Sequence, residues 1–311
     1  MAYVRNIFQI KKLFFVVKTH IYLCVRAFVH FNVGTVVSGH VKSIATFTGY
    51  VFENAITGNL IFVFLKGEKG ITENYHFDKN LEIGKADQKE DRIVQKIQAI
   101  SFTKPLRDVA TLFKGMVVKD RDLFLSDNSK GKKNVFLLGK NISKWKLDSR
   151  FFTTYEDLEI IGGTKQKAKH DYYPRILIRR TGNTLCCTLL EEPALTESTL
   201  YSCWSNTENI SNKYLLALFN SRLLDYYVKT MMITNKQAFP QILMTDLEEL
   251  PIIVVDEKKQ QPFITLVDQI LTAKKKDPSA DTSALEKQID EMVYALYDLT
   301  AAEIEIVEGR K

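Results

Sequence analysis

From Leu106 to Cys203 the chain reads as a train of short β-favouring runs separated by polar turns: VATLFKGMVV, LFLSDN, NVFLLGKNI, FFTTYEDL, ILIRRTGNTLCCTLL and LYSCW. β-Branched and aromatic residues suit a half-buried pleated surface, and turns at this spacing build a small mixed or mainly β domain. Helical periodicity takes over at Ser211, where SNKYLLALFNSRLLDYYVKTM sets Leu215, Leu218, Phe219 and Leu223 along one face suited to a core. Strands followed by helices predict an α+β fold.

Beyond that helix, QILMTDLEELPII is expected to form a strand ahead of a turn before Pro251, and PFITLVDQILTAKKK a helix. A linker holding Pro278 leads to Ser283-Ala-Leu-Glu286, a capping box that satisfies the orphan donors of a helix start, with Leu285, Ile289, Met292, Val293 and Leu296 behind it. A second box, Thr300-Ala-Ala-Glu303, opens a final short helix. Two helices over a short connection predict an antiparallel helical hairpin at the C-terminus.

Upstream, IATF, a turn at Gly49, the phrase VFENAITGN and the run Leu60 to Leu65 predict a hairpin or sheet edge. Residues 66–92 suggest an irregular connection, and a short helix is expected around 88–100. Residues 1–40 mix apolar and basic residues with no clean period and take no assignment. The resulting division is 1–100, 101–256 for the mixed or mainly β domain, and 257–311 for a C-terminal helical segment. No repeat of fixed period is visible.

Charge is uneven. The net balance is +6, but residues 101–180 hold 18 Lys+Arg against 9 Asp+Glu, or +9, whereas residues 245–311 hold 8 against 15, or −7. A polyanion responds to such a distribution, so the middle region is a candidate nucleic-acid footprint, although scattered lysines also make an ordinary solvated face.

The apolar start is interrupted by Lys11, Lys12, Lys18, His20 and Arg26, well short of the ~20 residues of a spanning helix, and no signal-peptide pattern is seen. The cytoplasm is the expected location, with no membrane partner. Cys24, Cys186, Cys187 and Cys203 lack C-x-x-C spacing, which suggests a reducing compartment. Adjacent Cys186 and Cys187 point to opposite faces of a strand, so at least one belongs to a core.

Catalysis is tested by elimination. The chain contains neither the P-loop nor the dinucleotide glycine pattern, and its five histidines show no H-E-x-x-H pairing. Acidic clusters at Asp246, Glu248 and Glu249, and at Asp256 and Glu257 ahead of Lys258 and Lys259, raise a metal-dependent nuclease; solvated charge flanking an edge strand is the preferred account. No catalytic, cofactor or metal residue is therefore assigned.

The basic middle supplies the candidate DNA contacts. Tyr172-Tyr173-Pro174-Arg175-Ile176-Leu177-Ile178-Arg179-Arg180 ends an apolar strand on an arginine pair before a Gly-Asn turn. The guanidinium fork can clamp a phosphate or a guanine edge. In a strand Arg179 and Arg180 face opposite sides, so at most one reads bases; the alternative is an ion pair with Glu191 or Glu192 across a hairpin. The loop from Gly162 to His170 adds Lys165, Lys167 and Lys169 and is read as flexible, and Leu138–Trp145 adds Lys140 and Asn141, with Trp145 equally suited to a core.

Six phrases in this order, LFKGMVVKDRDLFL, LLGKNISKW, YYPRILIRRTG, STLYSCW, KYLLALFNSRLLDYY and LEELPII followed by a helix ending in YALYDLTAAE, resemble the TaqI-like C-terminal specificity domain. In that family the domain recognises the target of adenine-specific DNA methyltransferases and type IIG restriction-modification enzymes. The resemblance runs over roughly residues 104–306. IATFTGYVFENAITGNLIFVFLK is similar to the end of the preceding methyltransferase domain, where two last strands complete the catalytic sheet. The family's Asn/Asp-Pro-Pro-Tyr/Phe motif and its glycine-rich cofactor loop are absent from the sequence. The resemblance thus implies double-stranded DNA as partner, and S-adenosylmethionine as cofactor of a catalytic half outside this chain. Two other readings stay open: an adenine methyltransferase in its own right, or a module docking on a catalytic subunit through its acidic C-terminal helices.

Overall fold

The computed structural model describes residues 92–231 and 240–310 with their side chains; upstream, and at residues 233–234, it describes strands and the start of a helix, the other positions lying outside the described residues. The chain divides into two compact units, Met1–Asp91 and Arg92–Lys311. In the first, seven strands form a sheet in the order Tyr3–Val4, Lys12–Val17, His20–Arg26, Asn59–Lys66, Gly39–Phe47, Glu73–Phe77, Ile83–Lys85. Gly39–Phe47 and Asn59–Lys66, which carry IATF and Leu60 to Leu65, pair antiparallel inside this order rather than at an edge. Strands also occupy parts of 1–40 and 66–92, where the sequence shows no strand period. The turn at Gly49 lies outside the described residues.

The second unit is built on a four-stranded antiparallel sheet in the order Cys187–Leu190, Arg175–Arg179, Leu200–Ser205, Ala110–Lys114. Alternation sorts its residues onto two faces. Ile176, Ile178, Cys187, Tyr201 and Cys203 enter the main core with the helices, whereas Leu177, Cys186, Leu190 and Leu200 pack with Leu137 and Ile142 on the other side. Cys186 and Cys187 therefore do face opposite ways, and both are buried thiols. A three-stranded sheet, Phe151–Thr153, Asn134–Leu137 and Leu195–Thr196, covers a third cluster of Met116, Val118, Phe136, Leu138 and Leu195.

Helices close the main core. Gln88–Ala99 matches the expected helix at 88–100 and buries Ile93, Val94 and Ile97. Glu257–Lys276 and Ser283–Leu296 pack against each other and contribute Phe263, Val267, Ile270, Ile289 and Val293 to the core that holds the sheet, so residues 257–311 share one interior with the strands. Among the described residues no helix is long and apolar enough to cross a membrane.

Several elements differ from their sequence-based expectation. LFLSDN follows on from a short 3-10 turn at Arg121–Leu123 and makes an isolated bridge from Ser126 to Phe152 instead of a strand. The long helix from Ser211 is two, Asn212–Asn220 and Arg222–Met231. Ser221 breaks it: its hydroxyl donates to the Leu218 carbonyl (2.7 Å) and accepts from Leu224 N–H (3.3 Å), ending one helix and capping the next. In QILMTDLEELPII the strands are short, Gln241–Ile242 and Pro251–Ile253, around a helical turn Met244–Glu248 that buries Leu247. The helix expected to cap at Ser283 starts from Thr282, whose hydroxyl donates to Glu286 Oε1 at 2.6 Å. The Thr300 and Glu303 box forms as read.

Cys187–Leu190 is an edge strand, yet its outward backbone groups are taken. Asn220 Oδ1 accepts from Cys187 N–H (3.1 Å), Asn220 Nδ2 donates to Cys187 O (3.0 Å), and Asp225 Oδ1 accepts from Leu185 N–H (2.7 Å). The Asn220 carboxamide substitutes for a neighbouring strand and ties the sheet to the helix Asn212–Asn220. Replacing Asn220 with Ala leaves the buried Cys187 N–H without a partner and is expected to cost about 2 kcal/mol, measured as a lowered urea midpoint.

Candidate nucleic-acid interface

Two candidate contacts prove to be interior. Arg175 is fully buried. Its guanidinium donates to Ser202 Oγ (3.2 Å) and to the carbonyls of His170 (2.6 Å), Ala194 (2.5 Å) and Tyr172. Burial lowers its pKa to about 10, which leaves it cationic at neutral pH. Asn141 is also buried, accepting from Leu138 N–H (2.8 Å) and donating to Ser149 Oγ (2.7 Å). Neither side chain can reach a ligand; both hold turns, and they are corrected from DNA contacts to structural residues.

Arg179 and Arg180 separate as alternation requires. Arg179 lies on the Leu177 side and donates to the carbonyls of Gly139 (2.9 Å) and Ile142, pinning the turn that carries Lys140. Its guanidinium is committed to the fold. Arg180 lies on the Tyr201 side and donates to Gln241 Oε1 (2.8 Å), while its backbone N–H bonds Thr199 O (2.9 Å) and its carbonyl accepts from Ile242 N–H (3.0 Å). Neither arginine pairs with Glu191 or Glu192; Glu192 is bound by Arg150 at 2.8 Å.

Register brings a further cation to the same place. Lys114 ends its strand opposite Tyr201, and Tyr201 is opposite Ile178, two residues before Arg180. Lys114 and Arg180 thus share one face at one end of the sheet, where desolvation and the Arg180 charge lower the Lys114 pKa. Sequence reasoning missed Lys114; the signal was a lysine at the end of an apolar strand, in register with core positions.

Glu197 organises this end. It is 7% exposed and accepts from Ser198 Oγ (2.8 Å) and from Thr199 N–H (2.8 Å) and Oγ1 (2.6 Å), with Arg121 Nη1 3.6 Å away. Thr199 Oγ1 in turn accepts from Gly139 N–H at 2.9 Å. The loop from Gly162 joins here, because Thr164 N–H donates to Lys114 O (3.2 Å). Gly163 has φ +71° and lies so near that a Cβ would meet Gly115 O at 2.1 Å, so glycine is needed for close approach rather than looseness.

The loop read as flexible is built. Lys167–Asp171 is a helical turn, in which Lys167 Nζ pairs with Asp171 at 2.7 Å. Lys165 and Lys169 are exposed and form no ion pair among the described residues. Lys140 is exposed, 4.8 Å above the Phe151 ring. His170 is buried: its Nε2 meets Thr164 O (2.9 Å) and Nδ1 accepts from Thr196 N–H (3.1 Å). Burial lowers its pKa to about 4, so it stays neutral.

The remaining candidates resolve as structure. Trp145 is core, 2% exposed. Glu249 pairs with Arg107, and Asp256 Oδ1 caps its helix by accepting from Lys259 N–H at 2.9 Å. Among the described residues no group of three His, Cys, Asp or Glu is placed to hold a metal.

Comparison with known proteins bears on this arrangement. Residues 134–252 match the TaqI-like C-terminal specificity domain. That segment contains LLGKNISKW, YYPRILIRRTG, STLYSCW and KYLLALFNSRLLDYY, and with them Arg179, Arg180 and the lysine-bearing loop. No curated protein matches the chain. Among solved structures, the Type IIL restriction-modification enzyme MmeI in complex with DNA has a TM-score of 0.51 at 12% identity over 88% of this chain and 45% of its own, which shows a shared fold. The HsdS subunit from Thermoanaerobacter tengcongensis (0.38, 12% identity, 66% of this chain and 50% of its own) and the type IIG restriction endonuclease BpuSI (0.41, 12%, 83% and 44%) are looser likenesses. The chain spans about half the length of the structures it matches.

Arg175→Ala removes the donor from two buried carbonyls and a partly buried one and is expected to lower stability by about 3 kcal/mol, read by urea denaturation. His170 gives a pH signature. Its folded pKa lies below its unfolded one, so the unfolded chain binds the extra proton and stability falls as pH drops from about 6.5 toward about 4. The contribution lost is at most about 3 kcal/mol; in His170→Gln the pH dependence between 6.5 and 5 should flatten by comparison with the parent.

Proposed function

We propose that this chain recognises a DNA target sequence as part of a restriction-modification system, with phosphate contacts supplying affinity and a few base-edge contacts the specificity. The observation that carries the reading is the specificity-domain match over residues 134–252, which includes the sheet end where Arg180 lies. Lys165 and Lys169, exposed and outside any ion pair among the described residues, and exposed Lys140 on the turn pinned by Arg179, are assigned as further phosphate contacts. We assign methyl transfer, S-adenosylmethionine binding and any endonuclease step to a separate catalytic half, of which the strands Gly39–Phe47 and Asn59–Lys66 are a remnant. In such an assembly the target base leaves the duplex for the catalytic half while this chain holds the DNA.

The test is a salt-titrated binding assay on random duplex libraries, with retained DNA sequenced. Affinity should fall linearly with log salt, because each neutralised phosphate releases counterions, and a motif should be enriched. Lys165→Ala and Lys169→Ala should each weaken binding evenly across sequences and reduce the slope by about 1. A flat salt response with no enriched motif would overturn the reading.

A further inference from the structure

Lys114, Arg180 and Arg121 gather around one carboxylate, Glu197, so that cations are in excess at this end of the sheet. Lys114 and Arg180 are carried by the two strands flanking Leu200–Ser205, on one face, and meet at one end of the sheet. Neither forms an ion pair among the described residues. The Glu197 charge opposes the fall in the Lys114 pKa, but its oxygens are shared with Ser198, Thr199 and Arg121, and the charge of Asp246 acts on Tyr201. Arg180 is held in place by Gln241 Oε1, and its Nε is buried without a hydrogen-bond partner. Two cations held together in partial burial repel one another, and a fold that retains them gains when an anion enters between them.

We infer that Lys114 and Arg180 together hold a single phosphate group of the DNA backbone. The inference rests on the DNA-recognition reading and deepens it by dividing the arginine pair: Arg179 builds the domain and Arg180 positions the duplex without reading a base. A guanine edge is neutral and would leave the repulsion between the two cations in place, whereas a phosphodiester removes it. Glu197 has a supporting part, since it holds Thr199, whose carbonyl fixes the backbone of Arg180.

Inorganic phosphate provides a test that needs no duplex. In the full chain, titration followed by NMR of the Lys114 side chain should shift its resonances and raise its pKa, while chloride at matched ionic strength should not. The response should vanish in Arg180→Ala and persist in Lys165→Ala. No phosphate response, or an equal one to chloride, overturns the proposal even if the chain binds DNA. On random duplexes, Lys114→Gln and Arg180→Ala should each lose roughly tenfold in affinity and about 1 in salt slope. The double variant should lose little more than either, because one phosphate can be released only once. Multiplicative losses would indicate two separate contacts, and a changed motif in Arg180→Ala would indicate base reading; either overturns the shared phosphate. Lys114→Gln carries the test if Arg180→Ala fails to fold.

Discussion

A buried cation organises the second unit. The Arg175 guanidinium gathers carbonyls from His170, Tyr172 and Ala194 and a hydroxyl from Ser202, so one side chain at the start of a central strand joins the helical turn, the chain leading into the strand, the Leu195–Thr196 segment and the next strand. Carbonyl oxygens are the partners here, rather than a carboxylate. A guanidinium offers five donors in one plane, and in a dry site those donors must all find acceptors. The positions of His170, Lys169 and Thr164 follow from that requirement, and through Thr164 so does the chain crossing at Lys114.

The three arginines of YYPRILIRRTG thus have three different environments. Two steps of the pleat separate Arg175 from Arg179, which places both on the side of the smaller sheet, where each satisfies backbone carbonyls. Arg180, one residue on, emerges on the helix side and is held by the amide of Gln241. The same chemical group has become a core bracket, a turn clasp and a half-buried cation. Depth and parity along one strand decide which.

The fold class was legible because strand runs and helical stripes are local patterns: NVFL, FFT, ILIR and LYSCW all form strands, and the Thr300 capping box forms as written. What escaped depended on side-chain hydrogen bonds and strand register, which a pattern of apolar residues does not show. The break at Ser221 comes from a hydroxyl that both donates and accepts locally, which a period of apolar residues does not reveal. Arg175 and Asn141 looked like ligands because polar side chains carry no mark of burial; the partners of the arginine include Ala194, 19 residues away, and Ser202 on a strand 27 residues away. Lys114 was passed over for the converse reason: its strand end becomes a meeting place only when the register with Tyr201 and Ile178 is known.

The carboxamide of Asn220 has a consequence for how such a domain can be joined to another. An uncovered outer strand invites a second chain to add itself by backbone hydrogen bonding, a route both to extension of the sheet and to aggregation. With the Cys187 amide and carbonyl already engaged, and Leu185 N–H taken by Asp225, that route is shut at this margin. A companion protein docking at this margin must meet side chains instead, so the association there would be set by surface chemistry that can vary without rewriting the sheet.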